Sequence, residues 1–385
     1  MKYELMDLGL ENAVIKVIGV GGGGGNAVNH MVNSHFDGVE FICANTDAQA
    51  LRRLKVDSVI QLGAELTRGL GAGTNPDIGR EAAEENKDVI RDVLEGANML
   101  FLTAGMGGGT GTGAIPVIAQ IAKEMNILTV AVVTKPFDFE GKKKKAVAEL
   151  GIIELEKYVD SLIIIPNQKL LPVLGANVSM MKAFSAANDV LLDAVQGITE
   201  LITHPGMINV DFADVKTVMS GMGAAIMGTG VASGENRARV AAEKAISCPL
   251  LEDINLQGAR GILVNITASD MGIAEFDEVG NIVHSFASDE AIIKIGTAID
   301  ESLGDEIKVT VVATGMGGQK AASAPVKLVP PSIATAGNDY SNLDTPSVGR
   351  KHAADGRETR FGVQPKNSSD MDYLDIPAFL RRQAD

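Results

Sequence analysis

Short, almost wholly apolar runs punctuate the first part of the chain. Each gives way to a glycine-rich or polar segment and then to apolar positions at three- and four-residue steps. Residues 13–20 are the first such run, followed by the glycine-rich segment 21–26 and a helix with Ala27, Val28, Met31 and Val32 at helical spacing. Runs at 39–44, 56–62, 99–104, 127–133 and 161–165 continue the series as strands. Helices are predicted from Pro76 to about Glu95, from Ala114 with Pro116 in its first turn, and from Lys142 to about Tyr158. Strands apolar on both faces that alternate with helices indicate a parallel sheet covered on both sides. Ligands of such sheets bind outside the strands' carboxyl ends. The glycine-rich segments 21–26, 69–76 and 105–113 all fall there.

Beyond this unit, Val178, Met181, Phe184, Leu191, Val195, Ile198 and Leu201 mark one long helix over 178–203, wide-faced, largely buried and suited to a spine between two domains. A second α/β unit follows, with helices near 211–220, 235–247 and 276–286 and strands near 224–229, 261–267, 291–297 and 307–314. Residues 319–371 are rich in Pro, Ser, Ala, Asn and Gly and poor in large apolar side chains, the composition of a disordered linker. The last segment changes again. Asp375 can cap a short helix with Pro377 in its first turn and Ile376, Phe379 and Leu380 on one face. That stripe reads as a helix-in-groove ligand at the tip of a linker, the alternative being an uninvolved tail. The pattern divides the chain into a loose 1–12, a first domain 13–177, the helix 178–203, a second domain 204–318, the linker 319–371 and the tail 372–385.

Composition narrows the function. The chain has 385 residues with 45% hydrophobic content, enough for sizeable cores, but only 4% aromatics and no Trp. A net charge of −15 argues against a nucleic-acid partner, whose phosphates would need Lys and Arg. The two cysteines, Cys43 and Cys248, have no metal spacing, which suits a reducing, cytoplasmic setting. No signal-peptide core opens the sequence and no apolar run approaches a membrane span, so membrane association would come through a partner.

The candidate chemistry lies in the glycine segments. In 105–113, GMGGGTGTG, six of nine residues are glycine and none is charged. Such a loop, wedged between an apolar strand and an apolar helix, offers free backbone N–H groups at a positive helix terminus and so cradles phosphate; a flexible linker is the alternative. Residues 19–24 satisfy GxGxxG, with Glu40 about 20 residues on, which alone would suggest a dinucleotide enzyme. A run of five glycines matches many patterns, however, and several loops at one sheet edge suit a longer phosphate chain. No GxxxxGK[ST] is present, so this is not a P-loop NTPase, and no lysine sits in either main loop. Neutralising a triphosphate then falls to backbone dipoles and a bound cation, most simply Mg²⁺.

The GGGTGTG signature resembles the phosphate loop of the tubulin superfamily. The order VIGVGGGGGNAV, NTDAQAL, GLGAGTNP, GMGGGTGTG, TKPFDFEGKK, NVDFADV, then a linker and YLDIPAFL, is similar to that of the bacterial cell-division GTPases of the tubulin/FtsZ family. The resemblance covers about residues 13–318 and returns at the tail. It implies a Rossmann-like parallel-sheet GTPase domain, a long central helix and a second α/β domain. By this resemblance Gly22, Gly23, Gly24, Gly25 and Asn26 contact nucleotide, Gly109, Thr110 and Gly111 hold phosphates, and Ala72 and Gly73 face the γ-phosphate, with Thr74 an added hydroxyl. Glu140 is expected at the ribose, though a helix N-terminal acid would stand there too. Lys144 occupies the family's usual Arg position and loses the bidentate fork. Phe184 is expected to stack on the base or else to be plain core, and Asn188 and Asp189 lie at the base-reading position.

Asp211 and Asp214, three apart at a helix start, share a face. They read either as a capping pair or, by the resemblance, as water-orienting acids assisted by Asn209 and inserted into the next subunit's pocket. Head-to-tail contact of this kind propagates as a filament. The resemblance further implies GTP with Mg²⁺, a monovalent cation in addition, a mid-cell division ring under the inner membrane, and anchoring division proteins bound by Tyr373, Leu374, Asp375, Ile376, Pro377, Phe379 and Leu380. A non-hydrolysing scaffold and an NAD-dependent Rossmann enzyme are the competing readings.

Overall fold

The computed structural model describes residues 13–316 apart from 35, 37, 57, 176, 205, 249, 251–257 and 289. The segment 1–12, the linker 319–371 and the tail motif from Tyr373 to Leu380 lie outside the described residues.

Strand β1 (Ile15–Val20) runs straight into helix α1 (Gly21–Asn33), and β2 (Glu40–Asn45), a one-turn α2 (Ala48–Leu51), β3 (Ser58–Gln61) and a one-turn α3 (Ala64–Thr67) come next. Helices α4 (Pro76–Glu85) and α5 (Lys87–Leu94) precede β4 (Met99–Gly105), α6 (Gly109–Glu124), β5 (Leu128–Lys135), α7 (Lys142–Leu155) and β6 (Ser161–Pro166). A one-turn α8 (Leu171–Leu174) and the long α9 (Met180–Thr203) lead to α10 (Phe212–Met219), β7 (Gly223–Ser233) and α11 (Arg237–Ile246). The last elements are β8 (Gly261–Ala268), α12 (Ile273–Phe286), β9 (Ile292–Ile299) and β10 (Glu306–Thr314).

All ten strands join one sheet in the order β3-β2-β1-β4-β5-β6-β7-β10-β8-β9. From β3 to β7 every pair is parallel, whereas β10 runs antiparallel to both its neighbours. The strands of the second α/β unit therefore extend the sheet of the first. The junction is fixed by Gly223 N donating to Asp160 O at 2.9 Å and by the Ser161 hydroxyl donating to Met219 O at 2.7 Å. The reversal at β10 has a simple cause. Only residues 300–305 connect it to β9, too few for the crossover that a parallel return needs.

Alternation along β4 shows how the sheet is covered. Leu100 and Leu102 pack on one face with Ile18, Val20 and the inner residues of α4, α5, α6 and α7. Met99 and Phe101 pack on the other with Ile15, Val17, α1 and the lower half of α9. Leu191, Val195 and Ile198 of α9 share that second core with Met227, Leu263 and Val312, so one helix covers strands from both units. Ala238, Ala242, Val279 and Val309 belong to a third core under α11 and α12.

Three local expectations need correction. First, the glycines at 21–25 and 109–113 are not loops before helices; they are the opening turns of α1 and α6. Pro116 consequently sits inside α6, not in its first turn. Their helical backbone follows from close packing, since a Cβ on Gly113 would lie 1.9 Å from Pro76 O of α4. Second, the helix expected over 76–95 breaks at Asn86, whose side chain turns away to accept from Gly63 N at 2.7 Å. Third, α9 is not buried along its whole apolar stripe. Met181 and Phe184 are 83% and 39% exposed, and the inner face of those first turns is made by Ala183 and Ala187.

Candidate nucleotide site

The first turns of α9 form one wall of a cleft of about 370 Å³. Its floor is built at the carboxyl ends of four parallel strands: Gly22 and Gly23 after β1, Gly105 and Met106 at the end of β4, Thr134 and Pro136 at the end of β5, and Asn167 after β6. The expected edge of the sheet is thus where the cleft forms.

Two helices point their N-termini into it. Gly21 takes φ +71°, and a Cβ there would fall 2.8 Å from Gly111 N, so the start of α1 abuts the start of α6 only because Gly21 lacks a side chain. Neither helix has a side-chain N-cap or an acid in its first turn. Asn75 caps α4, Ser179 caps α9 and Asp211 caps α10, while α5, α7 and α11 also begin without a side-chain cap but away from the cleft floor. Leaving the orphan N–H groups of two converging helices uncapped makes an anion site from backbone alone. The third glycine segment closes the rim, because Gly109 N donates to Gly73 O at 3.0 Å. Thr110 also lines the cleft and shares a 2.6 Å hydroxyl contact with Thr46.

The far end of the cleft is polar and aromatic. Phe184 meets Phe137 edge-on with ring centroids 5.3 Å apart, and Phe137 stacks on Phe139 at 5.0 Å. Phe184 is therefore a partly exposed wall residue, not core, and its free face can take a planar ring. Glu140 accepts from Phe137 N at 2.9 Å through Oε1 and from Lys144 Nζ at 2.5 Å through Oε2. Both lie on the lining, as do Asn26 and Asn188. Lys145 pairs instead with Asp138.

Several expected residues stand back from the surface. Gly24 and Gly25 are buried on the inner face of α1's first turns, and Ala72 is buried beside Gly109. Thr74 is exposed on the rim segment without lining the cleft. Asp189 turns to His30, with Oδ1 2.7 Å from Nε2, and leaves Asn188 as the α9 polar group on the lining. Sequence reasoning missed Thr134 and Asn167. Asn167 is 4% exposed, and its Oδ1 has no partner, an acceptor held ready at the cleft floor. No local pattern marks it; its place after a parallel strand is the one signal that could have.

The two acids and their neighbouring amide lie elsewhere. None of Asn209, Asp211 and Asp214 lines the cleft. Asp211 caps α10 by accepting from Asp214 N at 2.8 Å, and Asp214 faces β9, at the far edge of the sheet. With strands spaced ~4.8 Å apart, the four strand steps from β6, where Asn167 bounds the cleft, to β9 put the acids on the order of 20 Å from it. Cysteine chemistry has no part in either place: Cys43 is free and buried, with its thiol pushed up to about 12 by burial.

Comparison with known proteins places this geometry. Residues 14–175 match the model of the tubulin/FtsZ family GTPase domain, and residues 223–317 match that of the FtsZ family C-terminal domain. The cell division protein FtsZ of Coxiella burnetii is 59% identical over 385 residues, covering 99% of both chains. That of Pseudomonas aeruginosa is 57% identical over the full length of both. Among solved structures, an empty FtsZ dimer from M. jannaschii aligns over 80% of this chain and 89% of its own, with a TM-score of 0.76 and 44% identity. A GTPγS-bound protofilament of CetZ2 from Haloferax volcanii shares the fold at a TM-score of 0.66 and 20% identity, covering 78% of this chain and 92% of its own.

Proposed function

The chain belongs to the FtsZ family of the tubulin/FtsZ GTPases, and on that premise we propose how its two separated sites make one reaction. It is a cell-division GTPase that polymerises into protofilaments. GTP binds with its phosphates on the N-termini of α1 and α6, its ribose near Glu140 and Lys144, and its base against Phe184 with Asn167 and Asn188 as polar partners. Asp189 reads the base once it leaves His30. The unpaired Oδ1 of Asn167 suits a donor on guanine or ribose.

Asp211 and Asp214, with Asn209, orient and polarise the attacking water in the cleft of the next subunit. The observation that carries this reading is that the acids lie beside β9, at the far edge of the sheet, and off the lining of the cleft in their own chain. No side-chain motion spans that separation, so a second copy must bring the acids. The contact is head-to-tail and repeats, which gives a filament and makes hydrolysis conditional on assembly. Keeping the acids off the subunit's own triphosphate also avoids like-charge repulsion in the unassembled chain.

Among the described residues no cluster of three or more His, Cys, Asp or Glu is arranged to hold a metal, and the cleft's Glu140 is already engaged. Mg²⁺ therefore fits as an ion carried by phosphate oxygens and water, where it offsets charge on the triphosphate. A monovalent cation would enter in the same way. We assign residues 13–177 to nucleotide binding, 178–203 to the connecting helix and 204–318 to delivery of the acids. Beyond the described residues, the tail from Tyr373 to Leu380 is assigned to membrane-anchoring division proteins and a mid-cell ring. Among the described residues no helix is long and apolar enough to cross a membrane.

GTP turnover per subunit, measured against protein concentration alongside sedimentation, tests the shared site. A threshold followed by a rise that tracks pelleting is expected. Asp214→Ala should bind GTP and pellet yet lose most turnover, about 100-fold or more. Turnover independent of concentration would sink the mechanism.

A further inference from the structure

Asp214 has a partner that the sequence pattern does not announce. Its Oδ1 lies 2.7 Å from Nζ of Lys294, and the two side chains keep 33% and 37% of their surface open. Lys294 stands on β9, the terminal strand of the sheet. The same strand holds the loop that carries the acids. Thr297 N donates to Ile208 O at 2.9 Å, and Ile208 N donates to Thr297 Oγ1 at 3.0 Å. At Gly296 a Cβ would fall 2.6 Å from Leu201 and 2.7 Å from Val210, so the loop and the end of α9 close onto β9 only over a glycine. Lys294 and Gly296, two apart, present the same face of the strand to α10 and its loop.

We propose that Lys294 is a positioning residue for hydrolysis in the neighbouring subunit, an inference that rests on the shared-site reading above. Asp214 sits in the first turn of α10, one turn from Asp211, and a carboxylate there would swing among rotamers away from its like-charged neighbour. The ammonium of Lys294 holds Oδ1 and leaves Oδ2 to accept a hydrogen bond from water. It also travels with the acids. Two carboxylates docking onto a triphosphate meet strong repulsion, and the cleft's own Lys144 is already paired with Glu140. Lys294 brings a compensating positive charge to the same place at the moment of contact.

Turnover plotted against total protein separates the two quantities at stake. The slope above threshold gives hydrolysis per assembled subunit, and the intercept gives the critical concentration. Lys294→Met keeps the aliphatic stem, so its melting temperature and GTP affinity should match the parent. Its slope should fall about 10-fold, as for a displaced catalytic group, and its critical concentration should rise. Lys294→Arg, which keeps the charge and the reach, should recover most of the slope. A Lys294→Met slope equal to the parent's would overturn the proposal, and a higher slope would too, by showing that the ion pair restrains the acid. Asp214→Ala, run beside them, tells the two ideas apart. If it alone loses turnover, the shared site stands and Lys294 is a surface contact. If it keeps turnover, the shared site fails and this inference falls with it.

Discussion

Asn167 and Phe184 bound the cleft at its polar and aromatic end, and each makes a prediction at the scale of a single side chain. Asn167 Oδ1 is buried without a partner in the protein. A bound nucleotide donor would satisfy it, so Asn167→Leu should weaken nucleotide binding about 10-fold while leaving the melting temperature unchanged or raised. Equilibrium binding and a thermal melt on the same sample check both halves. Phe184→Ala removes a stacking face worth roughly 0.5–1.5 kcal/mol, a several-fold loss of affinity with thermal stability near the parent's because the ring is already 39% exposed. The two residues differ in legibility. Phe184 stands at helical spacing in the sequence, and only its exposure separates a wall residue from core. Asn167 carries no pattern, and its role rests on the carboxyl end of a parallel strand arriving beside the floor.

At the scale of elements, the glycines in the opening turns of α1 do different work. A Cβ on Gly24 would lie 2.3 Å from Thr103 O, a backbone atom of β4, whereas one on Gly22 would meet nothing within 4 Å. Gly24→Ala should therefore destabilise the domain by about 2–3 kcal/mol. Gly22→Ala should leave stability unchanged or raise it by up to about 1 kcal/mol, both read from chemical denaturation. In the second unit, Arg237 at the start of α11 grips Glu275 of α12 with two hydrogen bonds of 2.7 and 3.1 Å. That guanidinium holds the Glu275 carboxyl below the usual carboxylate range, and the Gly272 N–H adds to the effect. A lowered native value means stability present above the unfolded carboxylate range and lost as pH falls through the native value. Glu275→Gln should cost about 1 kcal/mol at pH 7, after allowance for partial exposure, and progressively less as the pH falls from the ordinary carboxylate range through the lowered native value. Melts of parent and variant across that range should converge in acid.

For the whole molecule, the separation of cleft and acids predicts complementation. Gly22 has room for a side chain, so Gly22→Glu should fold and place a carboxylate where the triphosphate belongs. Mixed with Asp214→Ala, which keeps the cleft, it should restore part of the turnover that neither variant has alone, because an interface that sets the cleft of Asp214→Ala against the acids of Gly22→Glu joins two intact halves. A mixture no more active than its parts would count against the acids acting between subunits. The sheet explains why the acids lie apart from the cleft of their own chain. Strand β10 locks β7 to β8 and continues the first sheet outward, so the acids are carried to the far edge by rigid hydrogen-bonded steps.

The strands, their order of appearance and the glycine segments gathered at the sheet's carboxyl edge were legible in the amino-acid sequence because each depends on local chemistry: apolar runs, helical spacing and residues without Cβ. The same holds for the identity of Asp211 and Asp214 as a pair on one helical face. What local pattern could not carry is the pairing of elements distant in the chain. It could not say that the glycines are already helix, since that comes from α4 pressing against α6, or that two units share one sheet, since that comes from β7 docking on β6. Nor could it say that Asp189 faces His30 while Asn188 faces the cleft, or that Lys294 meets Asp214 across eighty residues of chain. Local chemistry along the chain marks which groups are candidates to act. Their separation belongs to the folded molecule, because distance across a sheet is set by long-range pairing that no local spacing encodes.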